Sequence, residues 1–163
     1  MTESILRFRQ TLGMFATGVA IVTTQHEDEY HGLTVNSFTS VSLSPMLIQF
    51  NVARNTNAHR YLHDSGVFVV NILAEDQQLL STIFSGAPPA ERFRHAEIHE
   101  SANACPVIEG SLAYIEARLV NIFDAGDHSI FLGEVVDMRI MRPDAAPLLY
   151  FKGQYSKLLQ STA

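Results

Sequence analysis

The sequence predicts a mainly β chain with short helices, folded as a closed or nearly closed antiparallel barrel. Three observations carry this. Six or more segments have strand patterning, and most follow one another in hairpin order. Two of them, Ser111 to Phe123 and Ser129 to Met141, are long and flank Asp124-Ala-Gly-Asp-His128, a Gly-Asp turn between strands that should pair. The regular strand–helix alternation and Gly-rich first turn of a parallel nucleotide-binding sheet do not occur.

The elements follow in order. Ile5, Phe8, Leu12 and Phe15 recur at spacings of three and four, one apolar stripe of an opening helix that should end near Gly18. Val19 to Thr24 is the first strand, and the charged link His26 to Glu29 is a solvated turn into the strand entering at Tyr30. Met46 to Val52, set off by Pro45, is a third strand. Arg54 to Asn57 reads as a turn and helix cap, and Ala58 to His63 as a short helix stopped by Gly66. Val67 to Leu73 is a buried strand. Asp76 is the expected cap of a helix whose Leu79, Leu80, Ile83 and Phe84 share a side, and Gly86-Ala-Pro-Pro89 breaks it. Leu148 to Phe151 makes a last short strand. No repeat, low-complexity segment or linker divides the chain, so residues 1–163 are expected to form one domain.

Composition narrows the function. With 163 residues and 47% apolar content, the chain can bury a real core. A net charge of −6 without a Lys/Arg cluster argues against nucleic acid. No apolar run approaches the ~20 residues that cross a bilayer, and the first residues lack the order of a secretory signal. The single cysteine, Cys105, forms no internal disulfide and suits a reducing cytoplasm. His59 and His63, four apart on a helix, have the spacing of a metal pair, but no third ligand accompanies them and a short surface helix accounts for both; no metal is expected.

The most informative stretch is Gly-Leu-Thr-Val-Asn-Ser-Phe-Thr-Ser-Val-Ser-Leu-Ser-Pro, from Gly32 to Pro45. As one strand it would carry Thr34, Asn36 and Phe38 on one face and Val35, Ser37 and Thr39 on the other. Small neutral hydrogen-bonding groups in a row suit a flat heteroaromatic ring with an attached phosphate. They equally suit an edge strand with solvated hydroxyls.

This stretch resembles the signature of the short-chain flavin reductases, the reductase components of two-component flavin-dependent monooxygenases. Phe15 to Thr24, Phe68 to Leu73, Gly126-Asp127-His128 and Pro147 to Tyr155 resemble the family's other segments in the same order, covering nearly the whole chain. The resemblance implies a flavin-binding split β-barrel and an NAD(P)H:flavin oxidoreductase. FMN or FAD would be reduced by hydride from NADH or NADPH and passed to a separate monooxygenase component. It also implies a homodimer with the flavin near the subunit interface. Two other readings of such a chain are a non-catalytic flavin store or sensor and an oxidase of the pyridoxamine-phosphate type, which would want a strongly basic pocket.

By the same resemblance, contacts to the flavin ring fall on Thr34, Val35, Asn36 and Ser37. Phosphate contacts fall on Ser40, Val41 and Ser42, with Arg54 and Asn57 beside them. Asn57 stands where many relatives carry Arg, and Ala58 where they carry Thr, departures that bear on the phosphate contact and on the choice between FMN and FAD. Phe93 and Tyr155 are implied to border the flavin, with aromatic core packing the equal alternative. His128 is the candidate catalytic residue, a contact for the nicotinamide dinucleotide, with Asp127 holding the turn or orienting the imidazole. Its expected role is placement, because a hydride brings no proton and water can supply one at an exposed ring edge.

Overall fold

The computed structural model describes residues 2–158. In chain order the elements are α1 (Glu3–Leu12), β1 (Thr17–Gly18), β2 (Ala20–His26), β3 (Glu29–Val35), β4 (Thr39–Leu43) and β5 (Met46–Ala53). There follow α2 (Asn57–Ser65), β6 (Val67–Ile72), α3 (Gln78–Gly86), α4 (Pro89–Arg92), β7 (Ile98–Glu100) and β8 (Pro106–Ile108). β9 (Ala113–Ala125), β10 (His128–Ile140), β11 (Leu149–Phe151) and β12 (Gln154–Ser156) complete the set.

Seven strands form one antiparallel sheet in the order β3-β2-β6-β9-β10-β5-β4. The mainly β, antiparallel expectation holds. The two edge strands, β3 and β4, do not pair with each other, so the sheet is not closed into a barrel. The expected strand through Thr34 to Thr39 is also corrected. β3 stops at Val35, whose partner is Ala20, and β4 starts at Thr39, whose partner is Gln49. Asn36 to Phe38 is therefore the crossing between opposite edges of the sheet, and the alternation of faces does not run through it.

Hairpins form where turn chemistry predicts them. Glu27 and Asp28 both have positive φ, 51° and 61°, as a two-residue turn that follows the twist of its strands requires. His26 then pairs with Glu29. The long β9–β10 ladder likewise closes on Gly126-Asp127, with Gly126 at φ 67° and His128 opposite Ala125. α2 is capped by Thr56, whose hydroxyl accepts from His59 N at 3.4 Å, and it ends at Gly66 in the left-handed region.

Other expectations move. α1 ends at Leu12, well before Gly18, and none of its residues is buried. Asp76 caps nothing; it accepts from the Arg142 guanidinium at 3.0 Å, while Gln77 Oε1 takes Ala74 N and holds the start of that helical segment. β1, β11 and β12 form a small separate sheet and β7–β8 a two-stranded one, all too short for periodicity to reveal except β11.

The inner face of the main sheet packs Val22, Val35, Phe50, Val52, Phe68, Val70 and Phe131 with Leu62 of α2. A second cluster, Ile21, Leu73, Phe84, Ile108 and Leu148, lies under α3. Between strands, the buried Asn71 amide donates to Ile21 O and Thr23 Oγ1, each at 3.1 Å, and its Oδ1 accepts from Ile108 N at 2.8 Å, tying β8 to the sheet. Cys105 is buried beside β6, where loss of solvent pushes its thiol pKa up to about 11.

Of the glycines, Gly133 leaves the least room for a side chain. A Cβ there would land on the Phe68 ring and within 3.0 Å of Ala117 Cβ. Gly133→Ala is therefore expected to destabilise the fold by about 1–3 kcal/mol through overpacking. Urea denaturation with an unchanged midpoint would refute this reading of the Phe68 contact.

Candidate active site

The crossing and the β9–β10 turn meet at one rim of the sheet. β5 runs between them: Asn51 N donates to Ser37 Oγ at 3.0 Å on one side, and Ala53 pairs with His128 on the other. Arg54 follows directly, its backbone N–H donating to Asp127 O at 3.0 Å. Ala53, Arg54, Asn55, Gly126 and Asp127 line an open groove of about 500 Å³. The structure thus places Arg54, Asp127 and His128 together and Ser37 farther along β5, with Asn36 exposed on the crossing and Asn57 exposed at the start of α2.

The chemistry of this rim is mixed. His128 Nδ1 donates to Asp127 Oδ1 at 2.8 Å, and this bond holds the Asp127 carboxyl below the usual carboxylate range. It also orients the imidazole and leaves Nε2 uncommitted. Arg54 forms an ion pair with Asp124 at 3.3 Å, Nη2 to Oδ2, with both side chains at least half exposed. Ser37 uses its oxygen on Asn51 and keeps a hydroxyl proton to donate.

Ser40, Val41 and Ser42 lie on the edge strand β4. The ladder passes from Ser40–Ile48 to Ser42–Leu47, so Val41 is the extra residue of a bulge and stands exposed. Ser42 Oγ accepts from Ser44 N at 3.2 Å. Thr34 and Val35 face inward: Thr34 Oγ1 donates to Ser81 O at 2.7 Å, and Val35 belongs to the core. What Thr34 offers a ligand is backbone on the unpaired side of β3, the side on which Gly32 O also lies, whereas the backbone of Val35 turns to β2.

Phe93 and Tyr155 belong to a second group, around α3. Tyr155 Oη and Ser81 Oγ are 2.8 Å apart, and Phe93 meets Phe84 edge-on at 5.0 Å. Arg92 fixes Phe93 there by donating to Gly32 O at 2.6 Å and Ala87 O at 2.9 Å, its guanidinium pKa lowered by burial. Thr34, Phe93 and Tyr155 thus gather about α3, not about the Arg54–His128 groove. His31, before Gly32, is buried and stacks on Tyr61 with centroids 3.6 Å apart, and burial lowers its pKa.

His59 and His63 part company. His63 is exposed and bonds Asp64 at 2.7 Å, whereas His59 turns inward to Ser129 Oγ at 3.0 Å. Among the described residues no group of three or more metal-type ligands comes together. Sequence reasoning alone misses Ser81, Asp124 and Ser129. Strand alternation puts Ser129 on the face opposite His128, so the motif Gly126-Asp127-His128 stops one residue short of it.

The rim fits a flavin phosphate and ring on the donor set present: a guanidinium held by a single carboxylate oxygen, hydroxyls, amides, and no bulky side chain at Asn36 or Ser37.

Comparison with known proteins agrees. The model of the flavin reductase like domain matches residues 12–159. The chain is 37% identical, over 92% of its length and 76% of the relative's, to the reductase subunit HsaB of a flavin-dependent monooxygenase from Rhodococcus jostii (strain RHA1). It is also 37% identical, over 95% and 87%, to the FMN reductase (NADH) SmoA of Agrobacterium fabrum (strain C58 / ATCC 33970). The crystal structure of nitrilotriacetate monooxygenase component B from Mycobacterium thermoresistibile superposes with a TM-score of 0.92 at 34% identity, covering 99% of this chain and 92% of that one. With seven antiparallel strands, a rim groove and these relatives in agreement, this chain belongs to the family of proteins with a flavin reductase like domain.

Proposed function

We propose that the protein is an NAD(P)H:flavin oxidoreductase, a single domain that reduces FMN or FAD and supplies the reduced flavin to a separate monooxygenase. The observation that carries this is the open groove lined by Arg54 and Asp127, with His128 bonded to Asp127 and Ser37 bonded to β5 three residues before Arg54. The names of its relatives, FMN reductase (NADH) and monooxygenase reductase subunit, point the same way.

When bound, flavin and nicotinamide supply the hydride acceptor and donor. The chain's own residues bind and orient. Arg54, the start of α2 and the hydroxyls of Ser40 and Ser42 hold phosphate. Asn36, Ser37 and the free backbone side of β3 at Thr34 meet the polar edge of the ring, where negative charge grows in the transition state, and Val35 backs them from the core. Val41 gives that end an apolar contact. His128, fixed by Asp127, places the nucleotide; Phe93 and Tyr155 border the ring from α3. An open groove exchanges ligand with solvent, which suits a flavin carried away to another enzyme.

The protein acts as a homodimer in the cytoplasm. Apolar side chains stand exposed along α1 (Phe8 63%), at β4–β5 (Leu43 90%) and on the outer halves of β9 and β10 (Ile140 71%), more than a solitary soluble chain leaves uncovered. A second copy would cover them. Among the described residues no helix is long and apolar enough to cross a membrane.

The decisive assay follows anaerobic oxidation of NADH and NADPH with FMN, FAD or riboflavin. Steady turnover of added flavin is expected, and flavin binding without turnover would leave only a store or sensor. His128→Ala should raise KM for the nucleotide and slow flavin reduction, with flavin affinity nearly unchanged. The loss can reach the order of a hundredfold, the scale set by misplacing reactants by about 1 Å. Unaltered nucleotide KM together with an unaltered single-turnover rate would reduce Gly126-Asp127-His128 to a hairpin turn. Light scattering should give twice the monomer mass, and an active monomer would remove the dimer without touching the chemistry.

A further inference from the structure

A chain of two hydrogen bonds and a closing ion pair runs behind the groove from a helix to Arg54. His59 of α2 places Nε2 3.0 Å from Ser129 Oγ on β10. Ser129, wholly buried, donates to Asp124 Oδ1 on β9 at 3.0 Å. Asp124 Oδ2 reaches Arg54 Nη2 at 3.3 Å. Proton count fixes the direction. An ionised carboxylate only accepts, so the Ser129 hydroxyl proton is committed to Asp124, and His59 Nε2 must be the donor to Ser129. Two further contacts hold the histidine in place. Its ring meets Phe131 edge-on at 5.1 Å, and its own backbone N–H is taken by the Thr56 cap.

The consequence falls on Arg54. Because Ser129 occupies one oxygen of Asp124, only the other faces the guanidinium, and the pair is single-pronged. Released from Ser129, the carboxylate could grip Arg54 with both oxygens and withdraw its parallel N–H groups from any other anion. We propose that His59 and Ser129 are positioning residues that keep Arg54 available to the phosphate of a phosphorylated flavin, by tying down one oxygen of Asp124. This rests on Arg54 being the phosphate contact.

FMN and riboflavin differ by that phosphate, so their affinities, measured by quenching of flavin fluorescence, separate the possibilities. The wild-type protein should bind FMN more tightly than riboflavin. His59→Leu and Ser129→Ala should each lower FMN affinity about tenfold relative to riboflavin affinity, the scale of one charged hydrogen bond. The double variant should lose no more than either single one, since both break the same chain. His59→Gln, whose amide can donate from near the Nε2 position, should recover most of the loss. Equal weakening of FMN and riboflavin, multiplying losses in the double variant, or a Gln variant no better than Leu would each overturn the relay. Failure of the underlying reading shows without any variant: wild-type protein indifferent to the phosphate would mean that Arg54 does not hold it.

Discussion

The structure depends on a short piece of chain. Val35 and Thr39 stand on opposite edges of a seven-stranded sheet, yet only Asn36, Ser37 and Phe38 separate them. Four residue steps reach at most about 14 Å. Six inter-strand spacings laid flat would need about 29 Å. The sheet must therefore curl until its edges nearly face, and the same short chain, spent on crossing, leaves the edges unpaired. Val35 and Phe38 anchor the two ends of the crossing in the core, so the curl is fixed by packing as well as by length.

From this constraint the site follows. A tight turn pairs β4 with β5, and β5 carries the chain from Ser37's partner Asn51 to Arg54 in three residues. Across β5 lies β10, beginning at His128, so the hairpin turn arrives at the same rim. Every side chain at the groove is thus held from a strand end, a helix start or a two-residue turn, and none hangs from a long loop. Geometry of that kind sets distances without much rearrangement when a ligand enters.

Much of this is legible in the sequence because it is local. Positive-φ turns at Glu27-Asp28 and Gly126, the Thr56 cap and Gly66 stop, and the period-two patterns each act within a few residues. What escapes depends on distant partners. Asp76 looks like a helix cap until Arg142 claims it. Thr34 to Thr39 reads as one β-branched strand until it must change edges. Openness of the sheet has no local sign, being the absence of a β3–β4 ladder. His59 looks like a surface residue, because nothing near it in sequence announces Ser129. In the same way, the family's segments point to Thr34 and Tyr155 but not to Ser81, which joins them.

The burial of Cys105 bears on the protein's own chemical surroundings. Reduced flavin set free in aerated water reacts with dioxygen and yields hydrogen peroxide, an electrophile that oxidises thiolates far faster than thiols. A thiol whose pKa lies near 11, 1% exposed and with its Sγ 3.7 Å from Val67 O, is almost wholly protonated at neutral pH and screened by β6 and the loop before β8. The chain's one sulfhydryl is kept where such an oxidant finds neither an anion nor an entrance.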